Sequence, residues 1–233
     1  MARRRVNTTK YEIIQLATKL FLDIGYSATT PKLICDELDI STGNLTYYFP
    51  TKEHLLAVLV DMLCKFQGQT LQDTVNEGKT SVLAVCLELA TMASMSEESE
   101  VAKDLFHAAY SSPMCLDIIR KNDSERAKHV FGPFCPDWED TRFLEAEVLV
   151  SGIEYATLMT AGDTVSLEAR ITGALNSILQ IYNVPEEIRK QKLRKVLSIN
   201  YRTLGRHVLD NFRQFVAETN EHTFEALLEK ASG

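Results

Sequence analysis

The chain has 233 residues, of which 45% are hydrophobic and 24% charged, the balance of an ordinary globular protein. No stretch approaches the ~18 uninterrupted apolar residues of a membrane span. The basic start, Met1-Ala2-Arg3-Arg4-Arg5, runs into polar Asn7, Thr8, Thr9 and Lys10, where a signal peptide needs an apolar core. The expected address is therefore the cytoplasm, with no membrane partner. The formal charge of −7 is unevenly spread: residues 1–52 hold seven basic against five acidic residues, a formal +2, and the remainder carries −9. A mildly basic head on an acidic body can still meet phosphates, because screening over ~8–10 Å separates the two.

Nearly every apolar pattern has the helical period, and no convincing alternating strand appears. Ile13, Ile14, Ala17, Leu20 and Phe21 predict a first helix over 10–24, with Gly25 as its left-handed C-terminal cap. Thr30-Pro31 restarts a helix, threonine as N-cap and proline at the first helical position, with Leu33, Ile34 and Leu38 as its buried face. Asp39-Ile40-Ser41 is expected to form a tight turn, and Ser41 to cap a short helix carrying Leu45, Tyr48 and Phe49. Pro50-Thr51 breaks that helix, and Thr51 caps the next, whose apolar side holds Leu55, Leu56, Leu59, Val60 and Leu63. Two helices of about seven residues joined by a three-residue turn, braced by longer ones, make a helix-turn-helix. Further helices are expected over 80–95, 98–111, 113–131, 139–161 and 166–183. The stretch 185–230 reads as one long helix or two, since it contains no internal proline. The clearest amphipathic stripe is Leu167, Ile171, Ala174, Leu175, Ile178, Leu179 and Tyr182.

One stretch is specific beyond its periodicity. Phe21, the Gly25-Tyr26 pair, Thr29-Thr30, Ile34, Ser41, Gly43, Leu45, Tyr48-Phe49, Lys52-Glu53 and Leu55 stand at fixed offsets. In these residues the chain resembles the DNA-binding head of the TetR family of bacterial regulators, over roughly residues 8–56. The resemblance implies an all-α protein: a three-helix helix-turn-helix DNA-binding domain, 1–52, and a larger helical ligand-binding and dimerisation domain, 53–233. It implies a homodimeric regulator, a repressor, that holds a palindromic double-stranded operator and is released by a small-molecule inducer. The chain departs from the family where alanine is common near Cys35 and Leu38, glycine at Asp39 and tyrosine at Thr46. Asp39 suits a left-handed turn better than most residues, whereas Leu38 demands extra space between the two short helices. Asp36, Glu37 and Asp39 place an acidic patch beside the head's surface.

The chemistry of the stretch agrees. A helix entering the ~12 Å major groove needs short or polar residues at its leading end. Thr42, Gly43, Asn44, Thr46 and Tyr47 satisfy that need, with Leu45 and Phe49 turned to the core. Asn44 is suited to reading adenine, and the Thr42 and Thr46 methyls to touching a thymine methyl. Thr30, Tyr48 and Lys52 are expected at phosphates, and Ser41 belongs to the same DNA-contacting set. Arg3, Arg4 and Arg5 are expected as an arm along or in the adjacent minor groove.

In the body, the expected ligand contacts are Phe66, Phe106, His107, Tyr110, Phe131, Tyr155 and Met159. Glu147, Ser151 and Glu154 share a helix face in an otherwise apolar segment, which suits a cationic ligand, an arginine across a dimer, or water. The helices over 139–161 and 166–183 are the expected dimer elements, with Ser151, Gly152 and Ala156 allowing close approach. The five cysteines contain no CxxC pair, so they read as small buried hydrophobes rather than a disulfide framework or zinc site. Neither a metal nor a cofactor is expected. An enzyme would need a nucleophile–base pair, a metal cluster or a phosphate-binding glycine loop, and none of these motifs is written here. The remaining alternative is a protein of the same fold acting through a protein partner.

Overall fold

A computed structural model of the chain describes residues 2–75, 81–160 and 165–219; the side chains of 2–9, 68, 69 and 72–75, and with them the arginine triplet, lie outside the described residues, as does the expected helical stretch beyond 219. The described residues form helices α1 (Ala2–Ile24), α2 (Pro31–Leu38), α3 (Thr42–Tyr48), α4 (Lys52–Val75), α5 (Val82–Glu98) and α6 (Glu100–Ser111). These are followed by α7 (Pro113–Phe131), α8 (Asp140–Met159), α9 (Leu167–Ile181), α10 (Glu186–Ser198) and α11 (Tyr201–Glu218). No strand occurs among them, as the single periodicity anticipates. No helix among the described residues is long and apolar enough to cross a membrane.

The local signals act as chemistry requires. Gly25 ends α1 at φ +92°, a conformation that costs glycine little. The carbonyl of Gly25 accepts from the Thr29 amide at 3.3 Å and from the Thr29 hydroxyl at 2.8 Å, closing the loop. The Thr30 hydroxyl oxygen accepts the Leu33 amide at 3.1 Å ahead of Pro31. Asp39 ends α2 in the left-handed region at φ 52°, ψ 45°. Ser41 then caps α3 by accepting the Asn44 amide at 3.1 Å. The buried face of α2 is Ile34 with Cys35, while Leu33 and Leu38 are half-buried; the smaller Cys35 turns inward because α2 rests on α1 by the side that carries it.

Two points go beyond the sequence reading. The backbone of α1 continues back from the expected start at Lys10 to Ala2, while the side chains of the expected arginine arm lie outside the described residues. The region after Pro185 is two helices: Ile199 leaves the helical conformation at ψ 141°, and Asn200 Oδ1 accepts the Thr203 amide at 3.1 Å to start α11. A capping side chain, not a proline, makes this break.

The core has two parts. One gathers Ile13, Phe21, Ile34, Leu45, Phe49 and Leu56 from the head with Leu105, Ile119 and Phe212 from α6, α7 and α11. The other surrounds α5, which is apolar on nearly every side and touches α4, α6, α8, α9, α10 and α11. The stripe of α9 faces inward onto it: Leu167, Ile171, Leu175, Ile178, Leu179 and Tyr182 are all buried within the subunit. The buried Arg170 ties α8 to α9 by donating to the carbonyls of Thr157 (3.0 Å), Thr160 (2.9 Å) and Val165 (3.1 Å), and it pairs with Glu97. Four of the cysteines are buried and Cys64 is half-buried, all unpaired; burial pushes the Cys86 thiol up to about 12, so it is a poor thiolate at neutral pH.

A methyl at Gly25 would meet the left-handed backbone and also stand 2.8 Å from Asp104 Oδ2. Gly25→Ala is therefore expected to destabilise the protein by roughly 1–3 kcal/mol in urea unfolding. Asp39→Gly, with no such neighbour to strike, is expected within about 1 kcal/mol of neutral.

Candidate nucleic-acid interface and body cavity

The head presents one polar surface. Thr30, Ser41, Thr42, Gly43, Asn44, Thr46 and Tyr47 are all exposed, and Tyr47 is the most open large side chain of the set, at 77%. Behind them Leu45 and Phe49 are buried, so α3 is anchored by its inner face and free along its outer one. The Thr46 hydroxyl donates to the Thr42 carbonyl at 3.0 Å. What Thr46 offers outward is its methyl group and an acceptor oxygen, not a donor. Tyr48 is half-buried and meets Tyr47 edge to face, 5.0 Å between ring centroids.

Lys52 is placed differently from its expected position. Its ammonium turns inward, donating to the carbonyls of Tyr26 at 2.8 Å and Thr29 at 2.9 Å, and lies 3.9 Å from the centroid of the Tyr26 ring. Burial lowers its pKa, while the nearby Asp104 carboxylate acts in the opposite sense. Lys52 thereby clamps the loop between α1 and α2, and so sets the tilt of the unit that carries α3. The sequence signals a lysine at a helix start; only the fold reveals two carbonyls within its reach.

Sequence reasoning missed the contacts that join head to body. Asp104 of α6 accepts the Ser27 amide at 2.7 Å and the Ser27 hydroxyl. Ser112, the cap of α7, donates to Glu53 in the first turn of α4. Arg213 of α11 donates to the Leu22 carbonyl at 2.8 Å. No motif marks these residues, because each depends on a partner 59 to 191 positions away.

Of the residues expected around a ligand, His107, Tyr110 and Tyr155 come together and the other four lie elsewhere. Phe66 packs on Phe212 and Phe215, at centroid distances of 5.3 and 5.2 Å. Phe106 borders a small cavity between head and body, and Met159 packs against the central core. His107 Nδ1 and the Tyr155 hydroxyl are 3.0 Å apart, with Tyr110 stacked on the other side of Tyr155. Phe131 alone of the seven borders the cavity enclosed by α5, α7, α8 and α9. That cavity brings together charged groups that the sequence left scattered. Glu147 and Glu154 line it from α8, Asp123 and Arg126 from α7, and Tyr182 from the end of α9. The spacing of Glu147, Ser151 and Glu154 was the one available signal. Glu147 and Glu154 do share a face of α8, but Ser151 accepts from Arg120 of the same subunit at 3.0 Å.

Burial, reinforced by the neighbouring Asp123 charge and opposed by the Tyr182 hydrogen bond, pushes the Glu147 carboxyl from its ordinary 4.5 up to about 8. A raised acid binds a proton in the folded state that the unfolded chain has already lost. Its contribution to stability is fully present below pH 4.5 and is lost as pH rises through about 8. Glu147→Gln, which cannot ionise, should therefore gain in melting temperature relative to the parent on going from about pH 5 to about pH 8.5. A difference independent of pH would show that Glu147 carries no such proton.

Residues 13–59 match the family described as bacterial regulatory proteins, tetR family. No match is found among curated proteins. Among solved structures the chain is similar to a gamma-butyrolactone receptor (ArpA like protein), with 17% identity, 89% of this chain and 98% of that one covered, and a TM-score of 0.38. It is also similar to CprB, a TetR family protein from S. coelicolor A3(2), with 18% identity, 88% and 98% coverage, and a TM-score of 0.41. The matched segment spans α1 from Ile13, α2, the turn, α3 and the first part of α4. Over residues 13–59 the helix-turn-helix head of this chain is similar to that of the tetR family of bacterial regulatory proteins.

Proposed function

We propose that the protein is a homodimeric transcriptional repressor that reads a palindromic operator through α3 and is released when a small molecule fills the body. The observation that carries the reading is the outer face of α3: four polar or open positions, Thr42, Gly43, Asn44 and Thr46, followed by Tyr47, all exposed and held by buried Leu45 and Phe49. In this reading the DNA-binding domain is residues 1–52, and the ligand-binding and dimerisation domain is 53–233. Asn44 reads a base, the Thr42 and Thr46 methyls meet thymine, and Thr30, Ser41, Tyr47 and Tyr48 hold the backbone.

The dimer surface is the free face of α8 and α9. Leu144, Val148 and Leu149 are 48%, 49% and 61% exposed, and Gly152 and Ala156 continue the line. On α9 the small residues Ala169, Gly173 and Ser177 are exposed one helical turn apart, with Glu168 and Gln180 also exposed at the two ends. Small residues on one helix beside leucine and valine on the other let two copies pack closely, and two heads then address half-sites about 34 Å apart. The buried α9 stripe is used within the subunit, so dimerisation rests on the opposite face.

Coupling between cavity and head runs through two struts. α6 holds Ser27 with Asp104 at one end and donates from Tyr110 to Glu154 at 2.9 Å at the other. α7 donates from Ser112 to Glu53 at one end and places Asp123 and Arg126 in the cavity at the other. A ligand that shifts either strut tilts the head. Coupling of ~1–3 kcal/mol is the ordinary range, and operator DNA must weaken the ligand by the same factor.

Binding measured against salt on operator and random duplexes tests the assignment. Asn44→Ala is expected to cost ~1–3 kcal/mol per half-site on the operator, and little on random DNA. Lys52→Met is expected to weaken binding to both equally and also to lower stability by about 1–3 kcal/mol, since two buried carbonyls lose a charged donor. Equal losses for Asn44→Ala on both duplexes would remove it from the base-reading set.

Leu149→Asp is expected to convert the dimer to a species of 26.3 kDa in light scattering. Operator affinity should fall by about a hundredfold with it, as the second half-site no longer binds in concert. A parent protein already of monomer mass would overturn the dimer.

A further inference from the structure

The cavity between α5, α7, α8 and α9 has a composition unusual for a protein interior. Three carboxyl groups, Asp123, Glu147 and Glu154, line it together with one guanidinium, that of Arg126, and a fourth carboxyl, Glu88, pairs with that guanidinium. Arg126 is already committed: it pairs with Glu88, and it donates to Asp123 at 2.9 Å. The two glutamates of α8 have phenols for partners, Tyr182 donating to Glu147 Oε1 and Tyr110 to Glu154 Oε2 at 2.9 Å. A carboxylate offers about four acceptor sites and a phenol supplies one proton, so both groups are short of donors.

Glu147 shows the deficit most clearly. It is 3% exposed, and its Oε2 atom has no hydrogen-bond partner among the described residues. Protonation does not complete it, because a carboxylic acid O–H in turn needs an acceptor. Burying such a group unpaired is costly, and the cost is recovered when a donor of opposite charge arrives. The cavity's other wall is aromatic, with Phe131 and Tyr182 stacked 4.3 Å apart and 6° from parallel. It has room for about one water-sized group, the size of a primary ammonium, and the lining residues that reach solvent are Val85, Asp123, Arg126 and Glu154. An ammonium brings three donors on a compact charge, which matches the free oxygen of Glu147 and the spare lone pairs of Glu154.

We infer that this cavity is a cation-binding site whose ligand is an organic primary amine, its ammonium seated between Glu147 and Glu154 and its apolar part running out along Val85. The inference rests on the reading of the body as the sensor and names the chemistry of what it senses. The groups facing the seat are Glu88 from α5, Tyr110 from α6, Asp123 and Arg126 from α7, and Tyr182 from the end of α9; Asp61 and Cys64 of α4 stand behind Asp123. Since burial pushes the Glu147 carboxyl up to about 8, an amine seated against it displaces a proton and binds more tightly as pH rises from about 6.5 to about 8.5.

Three probes of one shape separate the possibilities: hexylammonium, hexanol and hexanoate, titrated into the full-length protein. The readout is the fluorescence of its single tryptophan, Trp138, whose ring lies 5.9 Å from that of Tyr182. Hexylammonium is expected to bind about tenfold or more tightly than hexanol, with hexanoate weakest. Glu147→Gln and Glu154→Gln, each checked by thermal melting, are expected to abolish that preference. Either variant that folds suffices, since the glutamine carbonyl still accepts the tyrosine proton. Hexanol or hexanoate binding as tightly as the amine, a preference that survives both variants, or binding of none of the three at millimolar concentration would overturn the inference. Operator affinity measured in parallel keeps the two readings apart. An amine that binds through Glu147 without weakening DNA binding supports the site and defeats the inducer reading. Release of DNA by the alcohol alone does the reverse.

Discussion

The loop between α1 and α2 is where the head acquires its orientation, and it is held by ionic contacts from two directions. Lys52, at the first position of α4, donates to the carbonyls of Tyr26 and Thr29, while Asp104 of α6 accepts from the amide and hydroxyl of Ser27. Gly25 supplies the left-handed step that lets the chain pass under both. The ammonium and the carboxylate thus grip the same few residues from the head's own brace and from the body. Charge-assisted hydrogen bonds to backbone are short and directional, so a half-buried pair of this kind sets an angle where apolar packing would tolerate a range. The position of α3 relative to everything behind it follows from that angle.

Behind the loop the body is organised as struts around α5. α6 and α7 each reach from the head to the carboxylate cavity, and the serines that begin them, Ser99 and Ser112, serve both as caps and as corners. A closely packed helical body transmits displacement along such struts because its interior has little free volume to absorb it. The buried ionisable groups are concentrated at the far end of the same struts, where burial holds Glu147, Glu154 and Glu88 above the ordinary carboxylate range. An interior that keeps carboxyls in want of donors is poised to respond to a cation in a way that an apolar core is not.

The outward faces divide the labour. α3 shows polar and open positions suited to base edges, whereas α8 shows leucine and valine beside glycine and alanine suited to another helix. The acidic residues Asp36, Glu37 and Asp39 are exposed in the same head, so the proposed phosphate contacts would rest on placed donors and helix starts instead of a broadly positive field.

The amino-acid sequence alone determined what depends on neighbours in the chain: the helical period, the caps at Thr30 and Ser41, the left-handed ends at Gly25 and Asp39, and the helix-turn-helix built from them. These are settled by backbone conformation and by hydrogen bonds that span three or four residues, so a linear reading recovers them. The tertiary structure decided whatever depends on distant partners. It turned Lys52 toward two carbonyls of the α1–α2 loop, and it assigned the α9 stripe to the subunit's own core. It separated Phe66, Phe106, Phe131 and Met159, and it drew Asp123, Arg126, Glu147, Glu154 and Tyr182 into one cavity with Glu88 paired to Arg126. A side chain's charge and size are written at its own position, but its burial and its partners depend on how helices cross. Those crossings depend on packing summed over the whole chain, which no local pattern records.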